Sequence, residues 1–238
     1  MPRWCHLAGL LAVALGSSAA AQPKRAGGPS GVLSPIAREQ LCVTNGVVST
    51  LPGGELGIDT ASSRAVVRFP TGSSAEIRFR YLGPSAESKP LASGEMRRQI
   101  GLKLRAQDTC NMLYAMWHIE PDARIAESIK RNIGKRLHEE CGAHGYVNIK
   151  PVTSIQVPRV LPGESHRFRA ELHGTDLTVF ADERLVWKGS VGSQVLEFDG
   201  PVGLRTDNAR FAFAYLASSP GGDRRQSGEG TCLKSPGD

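Results

Sequence analysis

The sequence lacks several features that would assign it to a familiar functional class. It has no Gly-rich phosphate loop before a helix, no Ser-centred G-x-S-x-G nucleophile elbow and no nucleic-acid-binding motif. Its apolar run at residues 7–15 is too short to span a bilayer, which needs about 20 residues, and no later segment is long and apolar enough. We therefore expect neither a nucleic-acid partner nor an integral membrane segment.

The first 21 residues have the pattern of a secretory signal peptide. Arg3 lies in a short basic start, an apolar run follows, and Ala21 ends an Ala-x-Ala site, so cleavage is predicted before Gln22. We expect an exported protein, periplasmic or extracellular. Four cysteines follow the one in the signal: Cys42, Cys110, Cys141 and Cys232. An even number in an oxidising compartment predicts two disulfides, for which three pairings are open.

The stretch from residue 165 to residue 216 predicts short antiparallel strands. Phe168, Ala170 and Leu172 alternate with polar neighbours, which is the period-2 pattern of a half-buried strand. Further strands, separated by short polar turns, are predicted at Leu177–Ala181, Leu185–Lys188, Val195–Phe198, Val202–Arg205 and Phe211–Tyr215. No helical period interrupts them, so the pattern indicates antiparallel β architecture.

The strand predicted at Asn111–Glu120 carries large side chains on both faces. One face would hold Leu113, Ala115, Trp117 and Ile119, and the other Tyr114, Met116, His118 and Glu120. We predict a central strand that is covered on one side and lines a groove on the other. Residues 121–145 are the least strand-like and predict a loop or short-helix insertion.

The segments LTVFADERLVW and GPVGLRTDNARFAFAYL resemble the C-terminal half of concanavalin A-like lectin/glucanase jelly rolls. They are most similar to secreted bacterial domains grouped with laminin G-like modules and with the 3-keto-disaccharide hydrolase-like family. The resemblance implies an all-β antiparallel sandwich over residues 41–217. A flexible arm at residues 22–40 and a flexible tail at residues 218–238 would flank it.

With this resemblance, two disulfide pairings are preferred. Cys110–Cys141 would close a loop of about 30 residues, worth roughly 3 kcal/mol in the chain-entropy model. Cys42–Cys232 would tie the start of the domain to its tail, since the termini of jelly rolls usually run close together.

The predicted groove strand supplies the candidate binding site. Tyr114 would offer a ring for a sugar to stack on, while His118 and Glu120 would bond hydroxyl groups, because a ligand cleft needs a few polar groups on an apolar floor. The rim would be formed by Arg78, Lys103 and Arg105. In the competing interpretation the strand is simply buried and its polar groups are satisfied internally.

The charge balance is modestly basic, with 29 Lys and Arg residues against 23 Asp and Glu residues. Six basic residues occupy alternate positions of predicted strands: Arg78, Arg80, Lys103, Arg105, Arg167 and Arg169. They predict either a positive sheet face that binds acidic polymer or a merely solvated face. The expected partner of this monomer is a carbohydrate or an anionic cell-surface polymer.

The catalytic motifs that the sequence lacks favour binding over catalysis. The glucanases that the fold resembles carry an E-x-D-x-E or E-x-D-x-x-E strand motif, which is absent here. We expect an exported, non-catalytic carbohydrate-binding or cell-surface recognition domain. The alternatives are a glycosidic-bond hydrolase using Glu120 and His118, and a structural envelope protein without a small ligand. No cofactor is expected, and the Cys141 region matches no trusted zinc spacing, but calcium near Asp207-Asn208 remains an alternative.

Overall fold

The computed structural model describes Met1 and residues 32–220. The predicted signal peptide, most of the predicted arm, Cys232 and the end of the predicted tail lie outside the described residues. No helix within residues 32–220 is long and apolar enough to cross a membrane.

The described chain is predominantly β-structure, as the sequence predicted. Its strands are β1 (Leu33–Ile36), β2 (Leu41–Asn45), β3 (Ser49–Thr50), β4 (Leu56–Val67), β5 (Ser74–Pro84), β6 (Arg98–Leu104), β7 (Met112–Glu120), β8 (Arg124–Lys130), β9 (Tyr146–Asn148), β10 (Thr153–Ser154), β11 (Ser165–His173), β12 (Asp176–Ala181), β13 (Arg184–Ser190) and β14 (Gly203–Ser218). One short α-helix, α1 (His138–Cys141), and two 3-10 turns, Arg38–Gln40 and Ser193–Glu197, complete the elements.

The strands form one curled antiparallel sheet that folds into two layers. Its hydrogen-bonded order is β10-β13-β12-β11-β5-β14-β6-β7-β8-β9, and β4 runs along the other edge of β14. We name β6 to β9 with residues 203–207 of β14 and residues 62–67 of β4 the front layer. The back layer is β5 and β10 to β13 with residues 209–217 of β14.

The core lies between these layers. Trp117 of β7 has its ring centroid 5.7 Å from that of Phe79 on β5 and 5.7 Å from that of Phe168 on β11. The predicted core-facing residues of β7 are all buried: Leu113, Ala115, Trp117 and Ile119. Tyr114 and Met116 of the opposite face belong to a second buried cluster, so the division into two faces is as predicted, but the face expected to line an open groove is covered as well.

The crossing from layer to layer occurs at Asn208. The sequence predicted two strands here with a turn at Asp207-Asn208, and this was wrong, because β14 is a single strand of 16 residues. Asn208 has a φ of 54°, a left-handed conformation that asparagine tolerates. Its side-chain amide donates to the carbonyl oxygens of Lys89 and Arg97, which anchors the loop before β6.

Other local predictions had mixed outcomes. The strand expected at Val195–Phe198 was wrong, since a 3-10 turn occupies Ser193–Glu197. The insertion near residues 121–145 does contain a short helix, α1, preceded by β8. Strand β1 falls within the stretch predicted as a flexible arm, so described structure begins before residue 41.

The Cys110–Cys141 disulfide is confirmed, with 5.9 Å between the two Cα atoms. It ties α1 to the segment just before β7. The Cys42–Cys232 pairing stays a prediction, because Cys232 lies outside the described residues.

Candidate functional site

Each layer has an outward side, which we name the front face and the back face. Cross-strand partners in a sheet point to the same side, and one row of partners on the front face runs Asp207, Gln99, His118 and Arg124. A second row runs Lys103, Tyr114 and Ser128. Although this side faces outward, most of these side chains are buried.

Asp207 is the electrostatic centre of the front face. Its Oδ1 accepts a hydrogen bond from Arg64 Nη2 at 2.8 Å, and its Oδ2 accepts from Arg205 Nε at 2.8 Å and from Gln99 Nε2 at 2.6 Å. Burial alone would raise the pKa of Asp207, but Arg205 and Arg64 hold that pKa at about 2. The carboxylate is thus ionised and fully engaged at neutral pH.

The aromatic part of the front face is a stacked pair. The rings of Tyr114 and Tyr146 lie 5.9 Å apart with an interplanar angle of 24°. Arg205 lies over the Tyr114 ring at 5.3 Å, and Lys130 lies over the Tyr146 ring at 5.4 Å. Tyr114 is only 4% exposed, whereas Tyr146 is 40% exposed. The ring that faces solvent therefore belongs to Tyr146, which the site prediction did not include.

His118 lies beside this aromatic pair, between two arginines. Arg97 Nη1 is 3.2 Å from its Nε2, and Arg124 Nε is 3.1 Å from its Nδ1. Burial, Arg97 and Arg124 all disfavour the imidazolium, and together they lower the pKa of His118 to about 3. The imidazole is neutral at physiological pH.

Glu120 has separate partners from His118, although only one residue lies between them. Its carboxylate forms an ion pair with Arg98, and Tyr81 Oη donates to its Oε1 at 3.5 Å. A bulge between Arg98 and Gln99 separates the two positions in the sheet. Glu120 consequently lies at the end of the sandwich, next to a core tyrosine.

The three predicted rim residues are dispersed. Lys103 is buried on the front face, across from Tyr114. Arg105 follows β6 and donates from Nε to the Phe198 carbonyl oxygen at 2.6 Å. Arg78 lies on the back face, where its Nε donates to Glu76 Oε1 at 2.5 Å. The structure therefore groups Tyr114, His118 and Lys103 together.

The described residues do not favour a metal site. Among them no group of three or more His, Cys, Asp or Glu side chains is placed to hold an ion. At the calcium position considered from the sequence, Asp207 is held by two guanidinium groups, which repel a cation. Cys141 is in a disulfide and so is not a thiolate ligand.

The back face carries ion pairs whose arginines are partly exposed. Arg167 pairs with Glu183, Arg169 pairs with Glu171, and the pairing of Arg78 has been described. A mixed-charge depression of about 410 Å³ opens beside them, with Glu55, Arg80, His166 and Asp182 in its lining. The pair of Arg167 and Glu183, exposed on both sides, is typical of a solvated sheet face, whereas Glu76 and Glu171 are buried.

The fold is similar to that of solved carbohydrate-binding proteins. The carbohydrate-binding module CBM66 from Bacillus subtilis superposes with a TM-score of 0.51 and 13% identity, covering 73% of this chain and 91% of that chain. The metal-free carbohydrate recognition domain of Emp46p gives a TM-score of 0.50 and 8% identity, covering 77% and 89%. A seed lectin from Lotus tetragonolobus gives 0.47 and 9%, covering 79% and 97%. No family model and no curated protein sequence matches the chain.

Proposed function

Because the chain has the concanavalin A-like jelly-roll fold, we propose that it binds a carbohydrate or cell-surface polymer through its front face, without catalysis. One observation carries this proposal: an exposed aromatic ring, Tyr146, lies over a floor of buried polar and charged side chains. Binding sites typically combine an apolar surface with a few polar groups that fix the orientation of the ligand. The Cys110–Cys141 disulfide supports a location in an oxidising compartment.

The binding mode follows from the two parts of the face. A pyranose ring presents an apolar side, which Tyr146 would contact, and the ring hydroxyl groups would reach polar side chains next to it. Tyr114 supports Tyr146 from beneath. Tyr114 was predicted to stack on the sugar itself, and in this binding mode it instead positions the exposed ring of Tyr146. His118 and the arginines beside it would be the polar partners of the sugar.

The carboxylates support binding more than hydrolysis. Glycoside hydrolysis uses two carboxyl groups, about 5 Å apart for retention or roughly 6.5–9.5 Å for inversion, one of which donates a proton. Asp207 has a pKa of about 2, so it does not donate a proton at neutral pH. Glu120 is paired with Arg98, and His118 contacts two arginines instead of Glu120. The proposed acid/base pair is therefore not in contact.

The test is a retention assay of the full chain on a panel of insoluble or immobilised glycans. Salt at about 0.5 M suppresses adhesion through exposed charge, and the supernatants are assayed for released sugar. We expect retention without release, unchanged in Glu120→Gln. Released sugar that disappears in Glu120→Gln would establish the hydrolase instead, and absence of retention on every glycan would refute carbohydrate binding.

A further inference from the structure

His118 lies between two hydrogen-bond donors, and its neutral ring accepts a hydrogen bond from only one of them. A neutral imidazole has one N–H donor and one acceptor nitrogen. Arg97 faces one ring nitrogen and Arg124 faces the other. In either tautomer, one guanidinium N–H therefore points at the N–H of the ring. That guanidinium group needs an acceptor that the ring does not supply.

Two further polar atoms beside His118 are buried without a hydrogen-bond partner in the described part of the chain. They are Nε of Arg97 and Oε1 of Gln99. Gln99 is the cross-strand partner of His118, and Arg97 comes directly before β6. Buried polar groups in native proteins are almost always satisfied, so the donor and the acceptor left open here are groups that a bound molecule would satisfy.

The charges around His118 do not balance. Within the described residues, four guanidinium groups face two carboxylates: Arg64, Arg97, Arg124 and Arg205 against Glu95 and Asp207. Asp207 forms ion pairs with both Arg64 and Arg205, and Glu95 forms an ion pair with Arg97. Arg124 contacts the His118 ring and forms no ion pair within residues 32–220. An excess of two positive charges in a partly buried cluster attracts an anion.

The cluster is accessible from solvent. Arg124 is exposed, and the Arg97 side chain is 19% exposed. Both arginines present planar N–H groups, whose geometry matches the oxygens of a carboxylate or a sulfate.

We propose that the front face recognises an acidic glycan, whose carboxylate or sulfate group binds between Arg97 and Arg124 beside His118. Oε1 of Gln99 accepts a hydrogen bond from a neighbouring sugar hydroxyl. This inference rests on the proposed function and specifies its ligand class.

The charge of the site comes from guanidinium groups and not from the imidazole. His118, with a pKa of about 3, stays neutral above pH 5. The other charged groups that face it are Arg97, Arg124, Arg205 and Glu95, and the hydrogen bond from Arg97 lowers the pKa of Glu95. The imidazole therefore contributes no charge to the site between pH 5 and pH 8. Affinity for the anion should therefore be constant over this range, whereas a site that used imidazolium would lose affinity as the pH rises.

The test compares matched charged and uncharged glycans by calorimetric titration of the full chain at about 0.15 M salt. One pair is oligogalacturonate and its methyl ester, which tests a carboxylate. The other pair is dextran sulfate and dextran, which tests a sulfate. We expect the acidic member of at least one pair to bind at least tenfold more tightly than its uncharged counterpart. Arg124→Gln should remove that preference, so that the acidic and the uncharged member of the pair bind with affinities within about twofold of each other.

The matched control is Arg80→Gln, which removes the same charge from an exposed arginine on the back face. It should leave the preference intact. Equal affinity within both glycan pairs, or an equal loss in Arg80→Gln and Arg124→Gln, would overturn the inference while carbohydrate binding stands. Absence of binding to all four glycans would contradict the proposed function as well.

Discussion

The two outward faces of this sandwich use the same residue types in opposite ways. Each has an arginine over an aromatic ring: Arg169 lies 4.2 Å from the Phe180 ring on the back face, and Arg205 lies 5.3 Å from the Tyr114 ring on the front face. The arginine side chains of back-face ion pairs are 27–49% exposed, but those of Arg64 and Arg205 are only 10% and 14% exposed. Back-face arginines are thus paired while partly exposed, although Glu76 and Glu171 are buried, whereas Arg64, Arg205 and their shared Asp207 are all largely buried.

Burial of the arginines, and not residue composition, therefore separates the front face from the back face. An exposed ion pair contributes about 0–1 kcal/mol to stability. A buried cluster of charges costs far more to desolvate, and it persists only where its groups satisfy each other or a ligand. The front face is therefore where substitutions should matter most.

The largest effect is expected from removing the shared carboxylate of the front face. Asp207→Asn leaves Arg64 and Arg205 buried without their anion and should lower the free energy of unfolding by about 3–5 kcal/mol. On the back face, Glu183→Gln breaks an exposed pair with Arg167 and should cost less than about 1 kcal/mol. Denaturant unfolding of both variants measures the difference. Similar losses in the two variants would refute the distinction between the faces.

The carboxyl group of Glu127, on the core side of the front layer, has a raised pKa, in contrast to the lowered pKa of Asp207. Burial raises the pKa of Glu127, and both of its carboxyl oxygens lack a hydrogen-bond partner within the described residues. The native state therefore retains a proton that the unfolded chain releases above its ordinary pKa of 4.5. Stability should fall as the pH rises from about 4.5 towards 7, by at most about 3 kcal/mol.

Glu127→Gln removes this proton exchange and provides the test. The free energy of unfolding of the variant relative to the wild type should increase between pH 4.5 and pH 7. A difference that stays constant over that range would show that Glu127 is ionised in the native state.

Acid should lower the stability of the protein by protonating Asp207 on the front face. Its native pKa of about 2 lies below the ordinary value of 3.8. The stabilisation is thus present above pH 4 and should be lost as the pH falls towards 2, by about 2 kcal/mol. Stability curves for the wild type and Asp207→Asn should converge over this window. Parallel curves would contradict the pairing with Arg64 and Arg205.

The smallest of these effects concerns ligand affinity. Tyr146→Ala should weaken glycan binding at least tenfold, equivalent to about 1.4 kcal/mol, because it removes the exposed ring of the front face. Phe180→Ala removes the corresponding ring of the back face and should leave affinity unchanged. Titration of both variants with a glycan retained by the wild type decides between the faces, and a greater loss in Phe180→Ala would place the ligand on the back.

Alternation in the sequence predicted a substantial part of the fold. The two faces of β7 and the strand at Ser165–His173 were recognised from short-range patterns, whereas the Cys110–Cys141 pairing was a preference among three open pairings. Period-2 alternation depends on local backbone geometry, so it is visible within a single strand. The bend at Asn208 was missed because a polar Asp-Asn pair is also typical of a turn.

The candidate site was harder to predict, because its contacts join distant parts of the chain. His118 was identified, but its partner Arg97 lies in a loop that is anchored by Asn208. Asn208 follows Arg97 by 111 residues in the sequence. Tyr146 covers Tyr114 only because β9 pairs with β8. Arg78 and Lys103 have the same alternating pattern yet occupy opposite faces, since alternation within a strand does not say which layer the strand joins.

The most direct measurement is the hydrogen-exchange footprint of a retained glycan on the full chain. We predict slower amide exchange in β7, β8 and β9 of the front layer on binding, with β11 and β12 of the back layer unchanged. Protection confined to β11 and β12, or no glycan-dependent protection in any strand, would contradict the assignment of the binding site to the front face.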